Sequence, residues 1–151
     1  MIRNQWYAVL ESDEVRPGKP LGVTRMGEKM VFWRDADGYV TCMADLCPHR
    51  GVALSAGKLV GHHIECPFHG FQFDASGQGV LIPANGRGAP VPKAFSVRTY
   101  PAREAFDFIW IWWGSNAPED LEPPRFFDNL TPDFSYGSQP DPWQAVTIGK
   151  Q

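Results

Sequence analysis

Two features that mark common classes of protein, an excess of basic charge and a long apolar run, are missing from this sequence. There is no excess of basic charge, because 14 Lys and Arg stand against 17 Asp and Glu, for a net charge of -3. A protein that binds nucleic acid through its phosphates carries a strongly basic surface, so we expect no nucleic-acid partner. The longest apolar run, residues 106 to 113, includes Asp107 and falls far short of the roughly 20 residues of a transmembrane helix. We therefore expect no membrane span.

Export signals and a disulfide framework are missing as well. The N-terminal residues contain no basic stretch followed by an apolar core, so no secretory signal is visible and we expect a cytoplasmic protein. The chain has only three cysteines, an odd number, and its 151 residues are enough to form a core without disulfides. Metal binding or catalysis is the better explanation for such cysteines.

Helical periodicity is also scarce, whereas turn-forming residues are abundant. Gly and Pro contribute 15 and 14 residues, and 43% of the chain is hydrophobic, which favours one all-β domain of short strands. Turns of helix are predicted only near 12–14 and 119–122. Alternation of apolar and polar residues predicts strands at Gln5 to Leu10, Leu21 to Met26, Lys29 to Asp35, Tyr39 to Met43, His62 to Cys66, Phe71 to Asp74, Gly79 to Ile82, Phe95 to Tyr100 and Phe106 to Trp113.

The cysteines divide into one core residue and two candidate ligands. Cys42 lies within a predicted strand and is interpreted as a buried thiol. Cys47 and Cys66 each begin a short loop that contains proline, histidine and glycine. The two loops read Cys-Pro-His-Arg-Gly and Cys-Pro-Phe-His-Gly. The first contains Cys47 and His49, the second contains Cys66 and His69, and sixteen residues separate His49 from Cys66. The chain thus has two matched loops, each with one thiol and one imidazole.

Two kinds of metal site accept these four ligands. If each loop places its sulfur on one metal and its nitrogen on the next, the loops straddle a pair of irons, which is the ligand set of a Rieske 2Fe-2S centre. A mononuclear zinc site accepts the same residues, although zinc modules usually pair cysteine with cysteine and histidine with histidine. A structural zinc or interaction module therefore stays open as a different class of function.

Residues beside the ligands suggest supporting roles. Gly51 and Gly70 allow the backbone to approach the metal centre closely, where N–H groups can bond cluster sulfurs. Phe68 is predicted to shield the centre from water. Arg50 is predicted either to help dock an acidic electron donor or to form a salt bridge within the domain, with a residue such as Asp45 or Glu65.

At these loops the chain resembles the N-terminal domain of the Rieske non-haem iron oxygenases, and the resemblance covers residues 5 to 114. Within that superfamily it is most similar to aromatic-ring hydroxylases and O-demethylases of the vanillate demethylase or pheophorbide oxygenase kind. Beyond the two loops, the matching features are Trp6-Tyr7, the turn from Gly18 to Leu21, the strand from Val31 to Asp35, Asp37-Gly38, Phe73-Asp74, Ile82-Pro83-Ala84 and Trp110 to Gly114.

The resemblance implies a Rieske fold over residues 1–114. Its base is an antiparallel β-barrel or sandwich, and a small subdomain of two loops, residues 45–52 and 64–72, binds the cluster. Unlike the Rieske proteins of cytochrome bc complexes, this chain has no cysteine pair to link the loops. Phe71 stands where those proteins carry a serine and where many oxygenases carry a tryptophan, which removes one donor to the cluster sulfurs and implies a lower potential.

The same resemblance implies a second iron that this sequence does not hold. Related oxygenases bind a mononuclear non-haem Fe(II) with two histidines and a carboxylate in a C-terminal domain. Here only His62 and His63 remain, adjacent on a predicted strand and so expected to point to opposite faces. We expect residues 115–151, an acidic segment with six of the 14 prolines, to lead toward a catalytic domain outside this sequence.

The predicted role of the chain is one-electron transfer within an oxygenase that acts on an aromatic or related organic substrate. A reductase or ferredoxin is the expected electron donor, and the receiving iron is expected across the interface of a homotrimer. A free-standing Rieske ferredoxin is the alternative within the same class of chemistry.

Overall fold

Short strands separated by turns form almost all of the regular structure. A computed structural model of the chain describes residues 2–115. Within that range there are eleven strands, three single turns of 3₁₀ helix (Ser12–Glu14, Leu54–Ala56 and Pro83–Asn85) and no α-helix. The strands are β1 (Gln5–Glu11), β2 (Leu21–Arg25), β3 (Glu28–Arg34), β4 (Val40–Ala44), β5 (Lys58–Val60), β6 (His63–Glu65), β7 (Gln72–Phe73), β8 (Gly79–Leu81), β9 (Thr99–Tyr100), β10 (Ala102–Ala105) and β11 (Phe108–Trp113).

The described strands form three antiparallel sheets. The base sheet has the order β1-β11-β10, the middle sheet β2-β3-β4-β9 and the loop sheet β5-β6-β7-β8. The all-β prediction is confirmed. No described helix is long or apolar enough to cross a membrane.

The middle sheet packs into two hydrophobic cores, one on each face, as strand β3 shows. Its side chains alternate between the two faces of the sheet. Met30 and Phe32 pack into one core with residues of the base sheet, such as Ile109 and Ile111. Val31 and Trp33 pack into a second core with the loop sheet. All four β3 side chains are fully buried, so this strand joins the base to the part of the molecule that carries the cysteines.

Most predicted strands are present, with differences at the ends. The Asp35 to Gly38 hairpin is confirmed, because Gly38 has φ +87° and its N–H donates to the Asp35 carbonyl at 2.9 Å. The strand predicted from Phe95 is confined to Thr99–Tyr100. The strand predicted from Phe106 begins at Phe108, because the two residues before it form a turn at positive φ.

Two strands were not predicted. β5 has only three residues between two glycines, and β10 reads Ala-Arg-Glu-Ala, a composition that is poor in strand-forming residues. Their extended conformation follows from pairing with β6 and β11, which a local pattern cannot show. The 3₁₀ turn at Ser12–Glu14 is as predicted. The helical turn predicted at 119–122 and the acidic segment beyond residue 115 lie outside the described residues.

Candidate metal centre

The first loop, residues 45–52, connects β4 of the middle sheet to the loop sheet. The Cys47 N–H donates to the Val52 carbonyl at 2.8 Å, and the Gly51 N–H donates to the Cys47 carbonyl at 2.8 Å. Gly51 has φ +72°, a left-handed conformation that glycine adopts without steric cost. These bonds fold the chain back on itself within six residues and bring His49 to the tip of the loop.

The second loop, residues 64–72, connects β6 to β7 and closes in the same way. The Cys66 N–H donates to the Phe71 carbonyl at 2.8 Å, again across five residues. Gly70 has φ +73°, as Gly51 does in the first loop. His69 precedes it and also has a positive φ, +69°, which is uncommon for a residue with a Cβ atom. The two loops thus close over the same number of residues, but the histidine lies two residues after the cysteine in the first loop and three residues after it in the second.

The two candidate cysteines lie together in the core. Cys47 and Cys66 are each 1% exposed and belong to the core between the middle sheet and the loop sheet. Burial raises the pKa of the Cys47 thiol to about 11, against the opposing effect of the backbone N–H groups of His49 and Arg50. The Cys66 thiol is within hydrogen-bonding reach of Cys47 and also raises its pKa. The structure therefore brings two soft ligands together in a site away from water.

The two histidines lie above the thiols at the surface. His49 and His69 are both exposed, and their ring centroids are 5.6 Å apart with an angle of 78° between the ring planes. The loops therefore present two buried sulfur donors on one side and two exposed nitrogen donors on the other. Such an arrangement gives one pair of donors access to a partner while the other pair is anchored in the core.

Phe71 is the buried ring behind both imidazoles. It is 8% exposed, and its centroid lies 4.7 Å from that of His49 and 6.2 Å from that of His69. Phe68, which was predicted to shield the centre, packs on His69 at 4.1 Å but remains 43% exposed. Phe71 thus provides the inner apolar wall, and Phe68 covers one side of one imidazole.

The predicted salt bridge of Arg50 is wrong for both named partners. Asp45 instead accepts hydrogen bonds from the Ser55 N–H at 2.7 Å and the Ser55 Oγ–H at 2.6 Å. Glu65 accepts a bond from Gln72 and pairs with Lys58. Arg50 is exposed, and no ion pair to it occurs within residues 2–115.

The other two histidines stay apart from this centre. His63 begins β6 and lies with Nδ1 3.3 Å from Gln72 Oε1, so it is a hydrogen-bonded polar residue as predicted. His62 is exposed in the turn before that strand, which corrects the prediction that both lie on a strand. In the described range, the set of three ligand atoms within 4.8 Å of one another is that of His62 with Asp35 and Asp37. The four loop donors do not form such a set within the described range.

The sequence analysis missed the residues that fix the two loops at their bases. Asp45 and Ser55 hold the first loop, whereas Glu65 and Gln72 hold the second. Glu65 and Gln72 flank the second loop on either side, and this symmetry was visible in the sequence. Asp45 and Ser55 are ten residues apart with no such pattern. The predicted core thiol Cys42 is confirmed at 1% exposure, and all three cysteines are free.

Comparison with known proteins agrees with this geometry. The family model of the Rieske [2Fe-2S] domain matches residues 5–101. The chain is 42% identical over 119 residues to the oxygenase component of dicamba O-demethylase from Stenotrophomonas maltophilia, covering 79% of this chain and 34% of that protein. It is 32% identical over 139 residues to the vanillate O-demethylase oxygenase subunit from a Pseudomonas species, strain HR199, covering 89% and 37%.

A solved structure of dicamba monooxygenase bound to dicamba superposes on the chain with a TM-score of 0.73 and 36% identity, covering 87% of this chain and 39% of that one. The chain spans little more than a third of the length of these three proteins. The family model, by contrast, covers well over half of the chain and includes both loops. The chain therefore belongs to the Rieske [2Fe-2S] domain family.

Proposed function

We propose that the two loops hold a Rieske 2Fe-2S cluster, with Cys47 and Cys66 as ligands of one iron and His49 and His69 as ligands of the other. The observation that carries this proposal is the division of the donors into a buried pair of thiols and an exposed pair of imidazoles. A tetrahedral zinc ion needs four donors about 2.0–2.3 Å from one metal. Within residues 2–115, no three of these donors have ligand atoms within 4.8 Å of one another, which favours two metals over one.

When bound, such a cluster accepts and gives up single electrons at a potential raised by its two neutral imidazole ligands. The residues of the chain supply the surroundings. Phe71 excludes water on the inner side of the imidazoles, and the thiols are anchored in the core. The exposed edges of His49 and His69 are the path by which electrons enter and leave.

We infer that the surface around the exposed histidines docks the redox partners. Leu46 and Phe68 are 53% and 43% exposed there, which provides an apolar contact area beside the imidazoles. Arg50 is exposed and adds positive charge, which would attract an acidic reductase or ferredoxin. Charge of this kind affects the rate of association more than the final affinity.

In the whole protein, residues 1–114 are proposed to act as the electron-transfer domain of an oxygenase. Residues 115–151 would then lead toward a catalytic domain that holds a mononuclear non-haem Fe(II), which would be the electron acceptor across a homotrimer interface. The printed names of the matched relatives, an O-demethylase oxygenase component and an oxygenase subunit, support this assignment. The substrate is expected to be an aromatic or related organic compound.

The direct test is to purify the 151-residue chain anaerobically and measure its visible absorption, its reduced-state EPR spectrum, and its iron and sulfide content. We expect a coloured protein with two irons and two sulfides and a Rieske-type EPR signal. Cys47→Ser and Cys66→Ser should lose the signal, whereas the matched control Cys42→Ala should keep it, because Cys42 lies in the other core.

Two outcomes would favour other functions. A colourless protein with one zinc, which takes up no iron or sulfide on anaerobic reconstitution, would support the structural zinc module and contradict the cluster. A loaded protein that shuttles electrons between a reductase and a separate oxygenase would support the free-standing Rieske ferredoxin.

A further inference from the structure

A row of polar side chains crosses the loop sheet at the base of the second loop. Lys58, Glu65 and Gln72 are register partners on β5, β6 and β7. In the neighbouring row, Ile64 and Phe73 are fully buried in the core and Leu59 is partly buried. Because adjacent rows point to opposite faces, the polar row lies on the outer face of the sheet. It is the last paired row before Cys66 and the loop tip.

The Glu65 carboxylate is held in this row by two partners. Gln72 Nε2 donates to Glu65 Oε2 at 2.8 Å, and the Lys58 ammonium lies 3.6 Å from Glu65 Oε1. Gln72 Oε1 in turn lies 3.3 Å from Nδ1 of His63, which limits the rotation of the amide. The side chain of Glu65 is 21% exposed and that of Lys58 is 71% exposed. The carboxylate is therefore less screened by water than the ammonium that faces it.

This carboxylate lies against the loop that carries His69. Glu65 directly precedes Cys66 in the sequence. A Cβ atom built on Gly70 would lie 4.0 Å from Glu65 Cδ, so the carboxyl group lies beside the loop backbone at Gly70. The carboxylate thus directly precedes one proposed ligand, Cys66, in the sequence and lies beside Gly70, the residue that follows the other, His69. Within this polar row, Glu65 is the acidic side chain.

We propose that Glu65 lowers the reduction potential of the centre by placing a fixed negative charge beside the second loop. This inference depends on the proposed function, because it requires the bound cluster. Reduction adds one negative charge to the site, and a nearby carboxylate opposes that addition by Coulomb repulsion. Lys58 favours the addition, but its exposure weakens its effect, so the carboxylate dominates the pair.

The test is the reduction potential of the loaded 151-residue chain at neutral pH, measured by spectroscopic titration against a set of redox dyes. Glu65→Gln removes the charge and keeps an oxygen that accepts the bond from Gln72. We expect it to favour the reduced state by about tenfold, which is a shift of about 59 mV for a one-electron couple. Glu65→Asp keeps the charge and should keep the potential near that of the wild type. Lys58→Gln, at an exposed site, should shift the potential less and in the opposite direction.

Glu104→Gln is the matched control. Glu104 is also an ion-paired glutamate, 22% exposed and bound to Arg34, but it lies in the base sheet, away from the loops. Its potential should equal that of the wild type. An unchanged potential in Glu65→Gln, or an equal shift in Glu65→Asp, would overturn the proposal, the latter because only packing would then matter. Absence of the cluster from the wild type would instead contradict the proposed function, so the two failures are distinguishable.

Discussion

The two loops of the centre close over the same number of residues but differ in where the histidine lies and in its backbone conformation. Both close with a bond from the cysteine N–H to the carbonyl five residues later. Counted from its cysteine, the histidine is the third residue in the first loop and the fourth in the second, where it directly precedes the left-handed glycine. His69 is therefore itself left-handed, whereas His49 is not. The additional residue between Cys66 and His69 is accommodated by the strained, left-handed backbone at His69.

The anchors of the loops differ as well. The first loop is fixed by a carboxylate that receives two hydrogen bonds from one serine, in a half-buried position. The second is fixed by a carboxylate, also half-buried, that accepts one hydrogen bond from an amide and pairs with an exposed ammonium. The second loop also supplies Phe71, the buried ring that both histidines contact. We infer that the first loop depends on its hydrogen bonds and the second on its apolar packing.

The largest difference is expected between the two phenylalanines of the second loop. Phe71→Ala removes a buried ring that packs on His49 and Phe95, and should lower the free energy of unfolding by about 3–5 kcal/mol. Phe68→Ala removes a ring that is nearly half exposed and should cost about 0.5 kcal/mol. Urea unfolding of the metal-free proteins, followed by tryptophan fluorescence, measures both. Equal losses would contradict the assignment of Phe71 as the inner wall.

The next largest difference in unfolding free energy is expected between variants of the two carboxylates that anchor the loops, Asp45 and Glu65. Asp45→Ala leaves the N–H and the Oγ–H of the half-buried Ser55 without their acceptors, and we expect a loss of about 2 kcal/mol in unfolding free energy. Glu65→Ala should cost about 1 kcal/mol or less, since Lys58 is mostly exposed and gains hydration in exchange. The same urea titrations provide the comparison. A larger loss for Glu65→Ala would reverse the proposed dependence of the two loops.

A substitution outside both loops can test the first anchor by itself. A Cβ atom on Gly22 of β2 would lie 2.5 Å from Ser55 Oγ and 3.0 Å from Asp45 Oδ2. Gly22→Ala should therefore displace this pair and cost about 1–2 kcal/mol. In the double variant with Ser55→Gly the cost of the alanine at position 22 should shrink, because both clashing Ser55 atoms, Oγ at 2.5 Å and Cβ at 2.8 Å, are gone. If the two substitutions are additive, the anchor is not what Gly22 protects.

Sequence reasoning was most successful where the pattern is local. The hairpin at Asp35 to Gly38 and most strands follow from glycine placement and alternation, and the four candidate ligands, chosen from their spacing, stay a prediction. β10 could not be predicted, because its residues disfavour strands and only pairing with β11 extends them. The partners of Asp45 and Glu65 were wrong, because a carboxylate near an arginine in sequence says nothing of which way either side chain points.

The smallest effect is expected for the glycine and alanine variants of His49 and His69, whose order of stability should be opposite at the two positions. This comparison isolates the backbone difference between the loops. A residue with a Cβ atom in the left-handed region costs about 1–2 kcal/mol, whereas glycine pays no such penalty. In an ordinary conformation glycine is less favourable than alanine by about 0.5–1 kcal/mol, because it loses more freedom on folding. At position 69, where φ is +69°, the glycine variant should therefore be more stable than the alanine variant by about 1 kcal/mol.

At position 49 the order should reverse, with His49→Ala more stable than His49→Gly by about 0.5 kcal/mol. All four variants lack one imidazole, so each pair is compared in the metal-free state and the lost ligand cancels within the pair. Urea midpoints converted with a common slope provide the differences. If alanine were the more stable residue at both positions, His69 would not be strained in solution, and the later position of the histidine in the second loop would be accommodated elsewhere between Cys66 and Phe71.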